Sequence, residues 1–235
     1  MSTLKAVAKR FSHNKYRLTV FGVLAFASVF AVGLVRFRID QTGSGRYGFM
    51  IWNLFLAWIP FLIAYITYTA KIQRRWLYLV LPLSAFLWLI FFPNAPYILT
   101  DFQHLSVPSE IPVWFDVLLL IWYAFIGLFL GMISLFLMQA VIRREFGGGY
   151  GWGFVIIVAG LTSIGVYMGR FLRWNSWDIF NNLEGMLQFT LYYLFNPTMR
   201  SLVFAGVFTP FLVFVYILLY AFGHLLLEGQ DNTAR

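Results

Sequence analysis

Six uncharged apolar stretches constrain this chain more than any other feature: Leu18 to Val35, Tyr47 to Ala70, Trp76 to Thr100, Val117 to Ile142, Phe146 to Gly169 and Ser201 to Leu227. Each is near or above the roughly 20 residues that a helix needs to cross a hydrocarbon core. Backbone N–H and C=O groups in lipid must be bonded within their own segment, so runs this rich in Leu, Phe, Ile and Val become helices despite their β-branched content. The expected fold class is therefore an all-α integral membrane protein with about six transmembrane helices, at about 18–35, 47–70, 76–92, 117–142, 151–169 and 201–227. These form one polytopic domain over 18–227, with a basic tail at 1–17 and a short tail at 228–235. Composition agrees, since 61% hydrophobic and 11% charged residues lie far outside soluble averages. Pro60, Pro82 and Pro210 fall inside spans and are predicted to kink them, each removing a backbone donor.

Charge sets the expected orientation. Eleven of the 17 basic residues fall on the side of the N-terminus, with Lys71, Arg74 and Arg75 as a compact marker, so both termini are expected in the cytoplasm. The net charge of +8 is explained by this anchoring, and a nucleic-acid partner is not expected. The N-terminal stretch reads either as a solvated basic tail or as a short amphipathic helix on an anionic leaflet. Ala25-Phe26-Ala27 resembles a signal-peptidase site, but cutting there would truncate an apolar run that continues to Val35. The chain has no cysteine, which excludes disulfides, thiolate nucleophiles and Cys-ligated metal. Between Arg170 and Arg200 the pattern is irregular. Its apolar piece near 185–195 is too short to span and suits an additional interfacial or re-entrant helix closed by Asn196-Pro197.

Polar residues gather in three places that this topology puts on the outer side. Pro93 and Pro96 in Phe91-Phe92-Pro93-Asn94-Ala95-Pro96 are expected to stop the third helix, forcing a turn at the lipid boundary. Beyond it, Asp101 and His104 stand three apart and would share a helical face, as an acid–base pair or as metal ligands. A capping Asp and a surface His explain the same pattern. At the end of the fifth span, Arg170 and Arg173 are three apart, with Asn175 and Asp178 beyond. Two forked donors suit phosphate or carboxylate, and Trp174 and Trp177 suit the headgroup region. An ion pair of Asp178 with one arginine is the structural alternative. Asn53 and Asp116 lie at span ends, and Asp116 is expected to pair with Arg170, Arg173 or His104, because an ionisable group at that depth is rare without a partner. Gly127 with Gly131, and Gly165 with Gly169, read as close-packing positions. Ser134 and Ser163 are expected to bond their own helix backbone.

The stretches FFPNAPYILTDFQHL (91–105) and YMGRFLRWNSWD (167–178), with weaker agreement at NLFLAWIP (53–60) and 114–116, resemble the DUF1361 family, bacterial multi-pass membrane proteins of unknown function. The resemblance implies a bacterial, often Gram-positive, integral membrane protein; it brings no activity, cofactor or catalytic residue.

Three functions are compatible with these residues. The first is a binding or transport-type protein whose outward-facing cationic pocket holds an anionic lipid headgroup or phosphate, using Arg170, Arg173, Asn175, Asp178, Asn94, Asp116 and Asn53. The second is a membrane-embedded enzyme acting on a lipid-linked substrate, with His104 as acid or base and Asp101 orienting it. The third is an accessory or scaffold protein. A metal variant would use His104 with aspartates, although a single histidine makes zinc a poor fit. The bilayer itself is the one expected partner; the sequence specifies no cofactor and no protein partner.

Overall fold

The computed structural model describes residues 2–70, 74–105, 111–174 and 183–233. Every element among them is helical: α1 (Ser2–Thr42), α2 (Phe49–Thr69), α3 (Arg74–Phe91), α4 (Asn94–Tyr97), a 3-10 segment (Ile98–His104), α5 (Val113–Phe146), α6 (Gly148–Tyr167), a π turn (Met168–Leu172), α7 (Leu183–Phe195) and α8 (Met199–Thr233). Six stretches are long and apolar enough to cross a membrane, at 15–42, 49–69, 75–104, 113–146, 148–172 and 199–224. Their number is the six expected, the third running on to His104 where its end was expected near residue 92, and α7 supplies the additional short helix.

Helix ends follow local chemistry. α1 runs past Val35 to Thr42, where Gly43 takes a left-handed φ of 67° and donates its N–H to the Ile39 carbonyl at 2.7 Å. Pro60, Pro82 and Pro210 lie inside continuous helices α2, α3 and α8. The segment after Pro93 departs from expectation. Instead of turning at the lipid boundary, it winds again at once inside the bundle, through α4 and the 3-10 segment. Pro96 sits in the first turn of α4, where its missing N–H would have had no helical partner in any case. Ala95, Pro96 and Ile98 are buried, so this turn lies within the bundle and not at its edge.

Glycines make room for it. A Cβ on Gly127 of α5 would sit 2.6 Å from the Ala95 carbonyl oxygen, and one on Gly131 would lie 3.3 Å from the Ala95 methyl. On the opposite side, a Cβ on Gly165 of α6 would approach Pro93 to 2.9 Å, and one on Gly169 would reach the Tyr97 ring at 3.2 Å. Both four-residue glycine spacings therefore serve close packing, with the proline-rich turn held between α5 and α6. Gly127→Ala should lower stability by about 1–3 kcal/mol, because the clashing atom is backbone and cannot swing away. Gly160→Ala, which opens onto free space, should be neutral or stabilising by up to about 1 kcal/mol. Thermal unfolding of the two variants in detergent compares them directly.

α5 runs through the centre of the bundle. One apolar core joins it to α1 and α2 around Ala31, Val35, Met50, Leu54 and Leu130; another joins it to α3, α6 and α8 around Trp88, Phe92, Met132, Val158 and Leu212. Several polar groups in these cores are paired across helices. Trp88 donates to the Ser134 hydroxyl at 2.7 Å, and Tyr216 donates to Gln139 Oε1 at 2.5 Å. Ser134 thus serves a neighbouring helix where its own backbone was expected. Ser163 does bond its own helix, at the Ala159 carbonyl 3.0 Å away, and also meets Thr209 at 2.7 Å.

Candidate functional site

The 3-10 segment has three residues per turn, which stacks Ile98, Asp101 and His104 on one ridge and puts Tyr97 and Thr100 on the ridge beside it. Both ridges face Arg170, which the π turn at the end of α6 carries inward. Arg170 Nε donates to Thr100 Oγ1 at 2.8 Å, Nη1 lies 3.0 Å from His104 Nε2, and Nη2 is ion-paired with Asp101 Oδ1. The guanidinium plane covers the Tyr97 ring, 4.1 Å from its centroid, a cation–π contact that the bare backbone of Gly169 leaves space for. Asn53 of α2 closes the far side by donating Nδ2 to Asp101 Oδ2 at 3.1 Å. Side-chain exposure is 5% for Arg170 and 1% for Asp101, so the node is a desolvated, multiply bonded ion pair joining α2, the 3-10 segment and α6.

Arginine only donates hydrogen bonds, so the Arg170–His104 contact requires a lone pair on His104 Nε2 and leaves the ring proton on Nδ1. Asp101 and His104 share a face, but each turns to Arg170, and among the described residues Asp101 bonds Arg170 and Asn53. Arg170 thus engages both groups, Asp101 at Oδ1 and His104 at the Nε2 lone pair, while Asn53 holds the second carboxylate oxygen. Among the described residues there is no group of three or more His, Asp or Glu placed to hold a metal.

Asp116 forms a second node with a partner the sequence reading did not propose. It meets Arg38 of α1, with Nε donating to Oδ1 at 2.7 Å and Nη2 to Oδ2 at 3.2 Å, a two-pronged fork at 1% exposure on both sides. The expected pairing with Arg170, Arg173 or His104 is therefore corrected. The physical reason is that α1 stays helical through Arg36–Asp40, which carries Arg38 alongside the first turn of α5. A carboxylate in that first turn also faces the positive end of the helix dipole. Tyr47 links the nodes: its ring lies under the Arg38 guanidinium at 4.7 Å, and its hydroxyl donates to the His104 carbonyl at 3.3 Å. Burial, and then the charge of Asp116, push the Tyr47 phenol above its ordinary value, which keeps it a donor.

Arg173 is not beside Arg170. The π turn adds a residue to the local turn, and Arg173 then takes a left-handed conformation (φ 60°, ψ 29°), so three-residue spacing no longer means a shared face. Its side chain is exposed while that of Arg170 is buried. Asn94 donates to the Phe91 carbonyl at 2.9 Å, closing the end of α3. Asn175 and Asp178 lie outside the described residues. Of the residues named from sequence, the structure thus brings together Asn53, Asp101, His104 and Arg170, while Asp116 belongs to the neighbouring node. Tyr97, Thr100 and Arg38 were missed. The first two carried a readable signal, because they recur at three-residue spacing with Asp101 and His104 one place behind.

A helical bundle with six membrane-crossing segments and charge-paired nodes buried near one end defines a multi-pass membrane protein. The chain belongs to the DUF1361 family of proteins of unknown function, whose profile matches residues 52–218. That region includes Asn53, the proline-rich turn, Asp101, His104 and Arg170, whereas Arg38 and Tyr47 precede it. No curated protein and no solved structure matches the chain.

Proposed function

We propose that this protein is a binding or transport-type membrane protein that takes an anionic lipid headgroup, or another phosphate-bearing ligand, at the end of the bundle where the 3-10 segment and the π turn meet. The observation that carries this reading is the backbone at 168–173, where a π turn followed by a left-handed arginine turns one guanidinium into the protein and leaves the next exposed. Both irregularities cost conformational energy and are concentrated at functional sites. In this reading Arg173 makes first contact with the ligand. Arg170, fixed by Asp101, Thr100 and His104, anchors the turn that presents Arg173. We place this end on the outer face of a bacterial cell membrane and both termini in the cytoplasm, on the weight of basic residues at the opposite end.

The test combines geometry with affinity. The chain lacks cysteine, so Arg173→Cys and Arg74→Cys each carry a single reactive thiol. In intact cells an impermeant thiol reagent should label the first variant and not the second. Arg173→Gln should weaken binding of phosphatidylglycerol or polyprenyl phosphate in nanodiscs by at least about tenfold, as loss of one charge-assisted hydrogen bond implies. Unchanged affinity in that variant would remove the basis for the proposal.

A further inference from the structure

At the opposite end of the bundle from the Asp101 node, α1, α2 and α5 enclose a groove of about 240 Å³. Its walls are apolar, with Val20 and Phe21 on α1, Phe61 on α2, and Ile133 and Leu137 on α5. All five lie within membrane-crossing segments, so the medium filling the groove is hydrocarbon. A wall with no atoms against it forfeits its dispersion contacts, which an inserted methylene chain restores.

The rim differs from the walls. Arg17 lies one helical turn beyond Phe21, its guanidinium over the Tyr68 ring at 5.3 Å, while Lys15 covers the Tyr16 ring at 4.9 Å. Among the described residues neither cation is paired with a carboxylate. Tyr16, Tyr65 and Tyr68 line the same opening, with phenol rings of the kind that settle at headgroup depth. From hydrocarbon outward, the groove thus presents aliphatic wall, aromatic collar and cation, which is the order of groups along a phospholipid.

We infer that this groove is a binding site for one acyl chain of an anionic glycerophospholipid, with Arg17 on its phosphate. The site is separate from the node at Asp101 and Arg170 and belongs to the other leaflet, so it stands whether or not that node binds a ligand.

Full-length protein in nanodiscs containing phosphatidylglycerol or phosphatidylcholine, each with a photoreactive diazirine on its acyl chain, tests the inference. The readout is labelling of the peptides that carry Phe61 and Ile133–Leu137. Phosphatidylglycerol should label these peptides about fivefold more than phosphatidylcholine, the preference that one basic residue at an interface gives. Arg17→Gln, an exposed substitution, should bring the two lipids level. Val20→Trp, which fills the groove from its exposed wall, should reduce labelling by both. Equal labelling by the two lipids in the unaltered protein, or a preference that persists in Arg17→Gln, would overturn the assignment. So would labelling that is undiminished in Val20→Trp.

Discussion

Asp116→Leu is expected to cost the folded bundle about 3–5 kcal/mol, because it leaves the Arg38 guanidinium without its counter-charge at a site that is 1% exposed. The attraction within the pair is not the source of that penalty. Desolvating either charge is expensive, and the fork between Arg38 and Asp116 roughly offsets the expense. It follows that Arg38→Met combined with Asp116→Leu should recover most of the loss. Denaturation in detergent micelles, carried out on the two single variants and the double variant, gives the coupling energy directly. Single variants that lose less than about 1 kcal/mol would mean that water reaches the pair and that the two charges are solvated.

The second large effect is expected at Asp101. Its two carboxylate oxygens serve different elements, Oδ1 facing Arg170 and Oδ2 accepting from Asn53. Asp101→Leu should therefore cost about 3–5 kcal/mol, as one-sided removal of a buried pair does. Asp101→Asn separates the contributions: it preserves shape and an acceptor but leaves Arg170 uncompensated, so most of the loss should remain. Adding Arg170→Met to Asp101→Leu should restore stability while leaving Thr100 and His104 without their donor. If Asp101→Asn were as stable as the native chain, hydrogen bonding rather than charge would hold the node, and Arg170 would have to find its counter-charge elsewhere. The same denaturation series in detergent distinguishes the outcomes.

How far this organisation can be read in the sequence depends on the range of the force involved. Membrane spans follow from the cost of an unbonded backbone in lipid, a local property, and six runs of apolar residues were sufficient to locate six helices. The spacing of Gly127 with Gly131 and of Gly165 with Gly169 indicated close packing for the same reason, although not that a proline-rich turn would be the object packed. The polar nodes depend on which helix stands next to which. Arg38 looked like an end-of-span charge because the apolar run stops at Val35, yet α1 remains helical for seven more residues, to Thr42. Asp116 consequently found a partner that lies beyond the end of the apolar run. For Arg170 and Arg173, a rule derived from regular helices failed where the backbone leaves regular geometry. No residue type in Met168–Arg173 marks a π turn, and a left-handed arginine is not a choice that sequence spacing reveals. Thr100 and Tyr97 were within reach, since a 3-10 winding of the residues after Pro96 would have placed them beside Asp101.

The position of α5 limits how the molecule can move. Asp116, Gly127, Gly131, Ser134, Gln139 and Arg143 all lie on this one helix, and each is matched to a neighbour on another element: Arg38, Ala95 and Ile98, Ala95 again, Trp88, Tyr216 and Tyr220. Turning α5 by a single residue rotates its side chains through about 100°, which would break every one of these matches together. Any working stroke of this protein must therefore treat α5 as the stator, with the helices around it supplying the displacement.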